Sequence, residues 1–186
     1  MTVAEDSAAA LRSWAPIREA DRRLQQEYVD FADDPAHAHR ETSTEQHLTA
    51  SAFVFDAAFE QVLLCFHGKG RFWVQFGGHI EQSDASLAGA ALREALEESG
   101  LSDLTPVLTT PVDLDRHALS SGFGTCRVHW DVGFAFIADP TAAAVGSEES
   151  ESVAWWPIGA LPDGSVPGLD GRIARAVETV RGISAP

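Results

Sequence analysis

Residues 77–101 read GGHIEQSDASLAGAALREALEESGL. Leu87, Ala91 and Ala95 recur at helical spacing in the second half, and Gly100 supplies a stop. The spacing predicts a helix starting near Ser83 or Asp84, both good capping residues, and Asp84 is read as a cap ahead of a metal ligand. Upstream, Phe72-Trp73-Val74-Gln75 reads as a short strand that gives way to a loop at Gly77-Gly78, where glycine permits close backbone approach. Glu94, Glu97 and Glu98 fall on the predicted helix, and at about 100° per residue they share roughly one third of its circumference. Like charges three and four apart repel, so such a helix calls for a positive partner, and hard divalent cations take oxygen ligands. The alternative is a solvated acidic face. Against it, Glu98 falls on the same side of the helical wheel as Leu87, Ala91 and Ala95. An isolated carboxylate on a core-facing side is costly unless paired or metal-bound. A strand, a Gly-Gly turn and an acid-lined helix together make a candidate diphosphate–metal site.

The stretch resembles the Nudix box, G-x5-E-x7-R-E-U-x-E-E-x-G-U with U aliphatic. Arg93 to Leu101 matches the second half at every specified position, with Ala95 a small choice for the first U. The first half departs: counting from Gly78, Asp84 takes the place of the first Glu, and eight residues rather than seven separate it from Arg93. Gly77 to Glu81 together with Asp84 instead fit G-G-H-x-E-x-x-D, the form of a bacterial subgroup of the family. With its flanking strands the resemblance covers roughly residues 48 to 162.

Composition limits the partners. The 28 acidic residues against 13 basic ones give a formal net charge of −15. That disfavours nucleic-acid binding, which depends on Lys and Arg neutralising phosphates, and leaves metal ions to attract any phosphate-bearing substrate. No apolar run approaches the roughly 18 residues of a membrane span. Cys65 and Cys126 lie far apart in apolar or strand-like contexts, and with no secretory signal they are expected as reduced thiols in a cytoplasmic protein. The seven histidines and two cysteines show no zinc-site spacing along the chain.

Outside the box, residues 1–40 read as a helical extension and residues 41–186 as the main domain. Ala9 to Trp14 suggests a short helix, and Pro16 suits the first turn of a second, along which Ile17, Ala20, Leu24, Tyr28 and Phe31 form a stripe. The extension is expected to cover an edge of the domain, with dimerisation into a homodimer or a lid over the site as alternatives. Strands are expected at 48–55, 61–66, 105–114, 125–138 and 153–158, and a last helix at 169–183 with Ile173, Ala176, Val177 and Val180 on its apolar face. The alternation of strands and helices argues for an α/β domain. His117 lies in the loop after the third of these strands, and His129 and Asp131 share a face of the next. They are candidates for substrate binding or proton transfer, or else satisfied polar groups at a strand end.

The resemblance implies a Nudix α/β/α sandwich around a mixed sheet, with Mg²⁺ or Mn²⁺ as cofactor. It implies a pyrophosphohydrolase that cleaves a diphosphate linkage in a nucleoside diphosphate linked to another moiety, of the ADP-ribose or nucleotide-sugar type. The alternatives are a MutT-like nucleoside triphosphate pyrophosphohydrolase and a non-hydrolysing nucleotide-binding regulatory domain. Glu94, Glu97 and Glu98 would hold the metal, with Glu94 or a group outside the box as general base and the Gly78 carbonyl as a further ligand. Arg93 would orient the glutamates. The family pattern also places a metal-binding carboxylate in the acidic loop before the 153–158 strand, where Glu149 is chosen over Glu148 and Glu151.

Overall fold

Gln46–Phe55 (β1) is the central strand of the computed structural model, which describes residues 2–43, 45–119, 125–147 and 150–184. Its side chains alternate: Ala50, Ala52 and Val54 enter one apolar core while Phe53 and Phe55 enter another on the opposite face. On one side β1 runs parallel to Val128–Ile137 (β7), in register from Gln46↔Val128 to Phe55↔Ile137. On the other it meets Phe76–His79 (β4) along residues 49–52 and Gln61–His67 (β2) at Val54 and Phe55, both antiparallel. Phe72–Val74 (β3) and Ser150–Pro157 (β8) pair with β2, and Thr105–Pro106 (β5) and Asp113–Ala118 (β6) pair with β7. One parallel pair among antiparallel ones makes a mixed eight-stranded sheet.

Helices cover both faces. Val3–Ser13 (α1), Glu19–Ala32 (α2) and Leu87–Ser99 (α3) lie over the first core, where Leu11, Tyr28, Leu87, Ala91 and Ala95 pack with Leu48, Phe76 and Phe134. Leu169–Ser184 (α4) lies over the second, where Leu169, Ile173, Ala176 and Val180 pack with Phe53, Phe55 and Leu64. The result is an α/β/α sandwich around a mixed sheet. Among the described residues no helix is long and apolar enough to cross a membrane. Both cysteines are buried and unpaired.

Several boundaries differ from expectation. Gly77-Gly78 is not a loop; it lies within β4, where pairing with β1 extends the strand signal through two glycines. Helix α3 starts at Leu87, capped by Ser86, whose Oγ accepts the Gly89 N–H at 2.9 Å, so neither Ser83 nor Asp84 is the cap. The expected 105–114 strand splits into β5 and β6. Helix α1 starts at Val3 rather than Ala9, because Thr2 and Glu5 form a reciprocal capping box. Helix α2 starts after Pro16 and Ile17, and Ile17 is exposed rather than part of the apolar stripe.

The N-terminal helices join the first core, and α2 packs against β6 and β7. Tyr28 is fully buried, its ring set edge-on to Trp130 at 5.0 Å, and its hydroxyl donates to the Asp131 carbonyl at 3.0 Å. Phe31 stacks on Trp130 at 4.1 Å. Asp6 of α1 reaches the start of α3, where its carboxylate accepts the Leu87 N–H at 3.0 Å. An anion at a helix N-terminus satisfies an orphan donor and suits the helix dipole.

Under α4 sits a buried polar network. Arg172 donates to Asp113 at 2.7 Å and to Asp131 at 2.6 Å, and Thr49 and Ser51 donate to the Asp131 carboxylate at 2.9 and 2.6 Å. Removing the cation would leave Asp131 with hydroxyl donors alone and Asp113 with Arg175 as its remaining cation, so Arg172→Met is expected to lower stability by about 3–5 kcal/mol in urea unfolding. Tyr28→Ala is expected to cost about 3–5 kcal/mol through its cavity and Tyr28→Phe only about 1 kcal/mol. A loss under about 1 kcal/mol for Tyr28→Ala would mean that the extension does not dock in solution as it does here.

Candidate active site

Strand β4 and helix α3 bring the box residues together. Gly77 holds a positive φ of 151°, and a Cβ there would come within 2.7 Å of the Ala50 carbonyl oxygen. Its N–H donates to Glu98 Oε2 at 3.0 Å. Glu98 is buried beside Leu87, Ala91 and Ala95, as the helical wheel expects, so this backbone bond meets part of its need for partners. At Gly78 a Cβ would lie 2.7 Å from the Glu94 carboxylate. Gly77 is therefore required by close approach to the neighbouring strand's backbone, whereas a side chain at Gly78 would have to displace the Glu94 carboxylate. Glu97, one turn from Glu94, is exposed over 61% of its side chain.

Arg93 organises the group. Its Nε and Nη2 donate to the two oxygens of Asp84 at 3.0 and 2.9 Å in a bidentate fork. Nη2 also donates to the His79 carbonyl at 3.0 Å, while Nη1 donates to Glu94 at 3.0 Å and Glu97 at 3.3 Å. Asp84 in turn accepts the Glu81 N–H at 2.8 Å, which closes the turn between β4 and α3. Burial pushes the Asp84 carboxyl up, but Arg93 and the Glu81 N–H outweigh it and leave it below the ordinary value. Asp84 is thus Arg93's counter-ion, a role the expected helix cap concealed.

The donor set is all oxygen: Glu94 and Glu98 fixed against the β4 backbone and Glu97 facing solvent. Such a set suits a hard divalent cation, and Gly78 leaves room that any side chain would fill. Glu149 and Glu148 lie outside the described residues. Glu151 pairs with Arg71 at 2.5 Å on the surface.

The other three candidates lie on the α4 face of the sheet. Both carboxylate oxygens of Asp131 are engaged by Thr49, Ser51 and Arg172. His117 Nδ1 is 2.9 Å from the Asp115 carboxylate. His129 lies among the rings of His47, His79 and His117, at centroid distances of 5.2, 5.3 and 5.5 Å. Burial first, then the neighbouring histidines, pull its pKa down to about 3, so at neutral pH it is an uncharged imidazole. Sequence reasoning missed His47, His79 and Asp6, because each acts through an element far away in the chain.

The NUDIX domain family model matches residues 45–176. No curated protein matches the chain. Among solved structures, an Ap4A hydrolase from C. elegans superposes with a TM-score of 0.60 at 14% identity, over 73% of this chain and 98% of the other. The E. coli dihydroneopterin triphosphate pyrophosphohydrolase superposes with a TM-score of 0.56 at 14% identity, over 69% and 92%. A NUDIX-family hydrolase from Clostridium perfringens does so with a TM-score of 0.54 at 20% identity, over 74% and 97%. At these identities the superpositions speak for the fold, while the family model spans most of the chain and covers both β4 and α3. The chain belongs to the Nudix family.

Proposed function

We propose that the chain is a Nudix-type pyrophosphohydrolase that cleaves a diphosphate linkage in a nucleoside diphosphate joined to another moiety, of the ADP-ribose or nucleotide-sugar type. The observation that carries the reading is the pair of carboxylates, Glu94 and Glu98, held against the Gly77–Gly78 backbone with Glu97 beside them. Glu94, Glu97 and Glu98 would hold Mg²⁺ or Mn²⁺, with the Gly78 carbonyl and Glu149 as further ligands. A bound divalent cation supplies Lewis-acid polarisation of the phosphoryl oxygens and lowers the pKa of a coordinated water.

The chain's own residues do the positioning. Arg93 holds Glu94 and Glu97 through one nitrogen and is itself held by Asp84 and the His79 carbonyl. Its guanidinium therefore offsets the repulsion among the glutamates without approaching a substrate phosphate. Gly77 orients Glu98 through its N–H. Glu94, partly exposed beside Gly78, is the general-base candidate. His129, neutral and half-buried, suits proton abstraction poorly, and with His117 it would at most shape the substrate pocket. On this reading residues 41–186 carry the chemistry and residues 1–40 buttress α3.

The neighbours' names point to different phosphoanhydrides, a dinucleoside tetraphosphate in one and a pterin triphosphate in another, so they bear on the reaction type and leave the substrate to assay. Hydrolysis of a panel of ADP-ribose, nucleotide sugars and nucleoside triphosphates with Mg²⁺ or Mn²⁺ tests the reading. Release of a nucleoside monophosphate from ADP-ribose or a nucleotide sugar is expected, and turnover confined to triphosphates would refute the substrate class. Chelation should abolish turnover, and either ion should restore it.

Glu98→Gln keeps the shape and still accepts the Gly77 N–H but removes a charge. Turnover is expected to fall about 100-fold or more, equivalent to several kcal/mol of transition-state stabilisation, with an unchanged circular dichroism spectrum. Wild-type turnover in that variant would sink the assignment.

A further inference from the structure

Four side chains to which the catalytic reading gives no step of the reaction converge where β1, β4 and β7 meet at one end of the sheet. His47 comes from β1, His79 from the last position of β4, His129 from β7 and Cys126 from the segment just before it. One donor atom of each lies within 4.8 Å of the corresponding atom of every other. Cys126 Sγ is 3.9 Å from His47 Nε2 and 4.0 Å from His79 Nε2. In a tetrahedral zinc site, with Zn–N near 2.0–2.1 Å and Zn–S near 2.3 Å, ligand atoms sit roughly 3.3–3.7 Å apart. The four groups are therefore within about 1.5 Å of that geometry at the widest pair and a few tenths of an ångström at the closest.

Two independent features favour a bound cation over a merely polar corner. His129 Nε2 is buried and has no hydrogen-bond partner among the described residues. A buried polar nitrogen left unsatisfied is unfavourable, and a metal would satisfy it. His47 Nδ1 lies 2.8 Å from the Ser43 carbonyl oxygen. That oxygen can only accept, so Nδ1 carries the proton and the lone pair of Nε2 is turned toward Cys126. A backbone carbonyl orienting one ring nitrogen while the other ligates is the usual support of a metal-bound histidine. The donor chemistry also selects: three imidazoles and a thiol suit zinc and other borderline transition metals, whereas Mg²⁺ prefers the all-oxygen set on α3.

We propose that His47, His79, Cys126 and His129 form a second metal site, a structural one of the zinc class, distinct from the carboxylate site on α3. Four protein ligands complete a tetrahedron and leave no open position, which is the mark of a structural rather than a catalytic centre. Strand alternation separates the two sites. Gly78 faces Glu94, whereas His79 is paired with Thr49, whose hydroxyl meets Asp131 on the α4 face. The ion would pin the ends of three strands together, and it would fix His79, whose carbonyl holds Arg93.

The test uses the full chain. Protein stripped with a chelator is titrated with Co²⁺ and, separately, with Zn²⁺ against a chromophoric competitor. About one equivalent is expected to bind, Co²⁺ giving tetrahedral d–d bands and a thiolate-to-metal charge-transfer band, and Zn²⁺ raising the melting temperature. Cys126→Ser should abolish the charge-transfer band, and His129→Gln should weaken binding at least about tenfold. Circular dichroism identifies any variant that fails to fold, and each variant stands in for the other in that event. Glu98→Gln should lose hydrolysis yet keep the Co²⁺ spectrum, which separates this site from the catalytic one. Absence of stoichiometric binding by either ion would overturn the proposal, as would a Co²⁺ spectrum unchanged in both ligand variants.

Discussion

The candidate site of this protein depends on a close approach between backbone and side chain. The Glu94 carboxylate lies against Gly78 where a Cβ would have to displace it, and Glu98 accepts the Gly77 N–H. Three carboxylates on little more than one helical turn would spread apart in water. Here α3 is locked by its buried Leu87, Ala91 and Ala95, and the strand beneath it carries no side chains at the contact. Arg93 donates to Glu94 and Glu97, and its own orientation comes from Asp84 and a strand carbonyl. The geometry is thus set by packing first and electrostatics second, which is how a site keeps like charges close without distortion.

How much of this was legible in the sequence varies with the range of the interaction. The helical wheel placed Glu98 among Leu87, Ala91 and Ala95, and those four residues are buried together. The α/β alternation and most strands followed from period and turn residues, because each is a local signal. Gly77-Gly78 carries a loop signal because glycine is a weak strand former, and pairing with β1 makes it a strand. Asp84 looked like a cap because its position relative to the helix fits one, whereas its Arg93 partner lies nine residues on. The histidine–cysteine cluster had no sequence signature at all. Its members come from three strands and the segment before one of them, and spacing rules recognise ligands only when a local loop or helix presents them.

The N-terminal helices illustrate the same limit from the other side. Their stripe was visible, but its partner was not. Tyr28 and Phe31 bracket Trp130, and Asp6 meets the first turn of α3. The segment therefore bears on the box helix directly, at its N-terminus and through the shared core.

The parallel pairing of β1 with β7 also orders events in time. Thr49 and Asp131 are joined by a hydrogen bond across 82 residues of chain, so the central ladder closes only once nearly three quarters of the polypeptide is available. Long-range parallel pairing is slow because loop closure comes before the contacts that reward it. During synthesis on a ribosome, α1 and α2 emerge ahead of β7, and Tyr28 lacks its edge-on ring partner until Trp130 arrives. The core under these helices therefore stays incomplete over that interval, when the nascent chain is most open to misassociation.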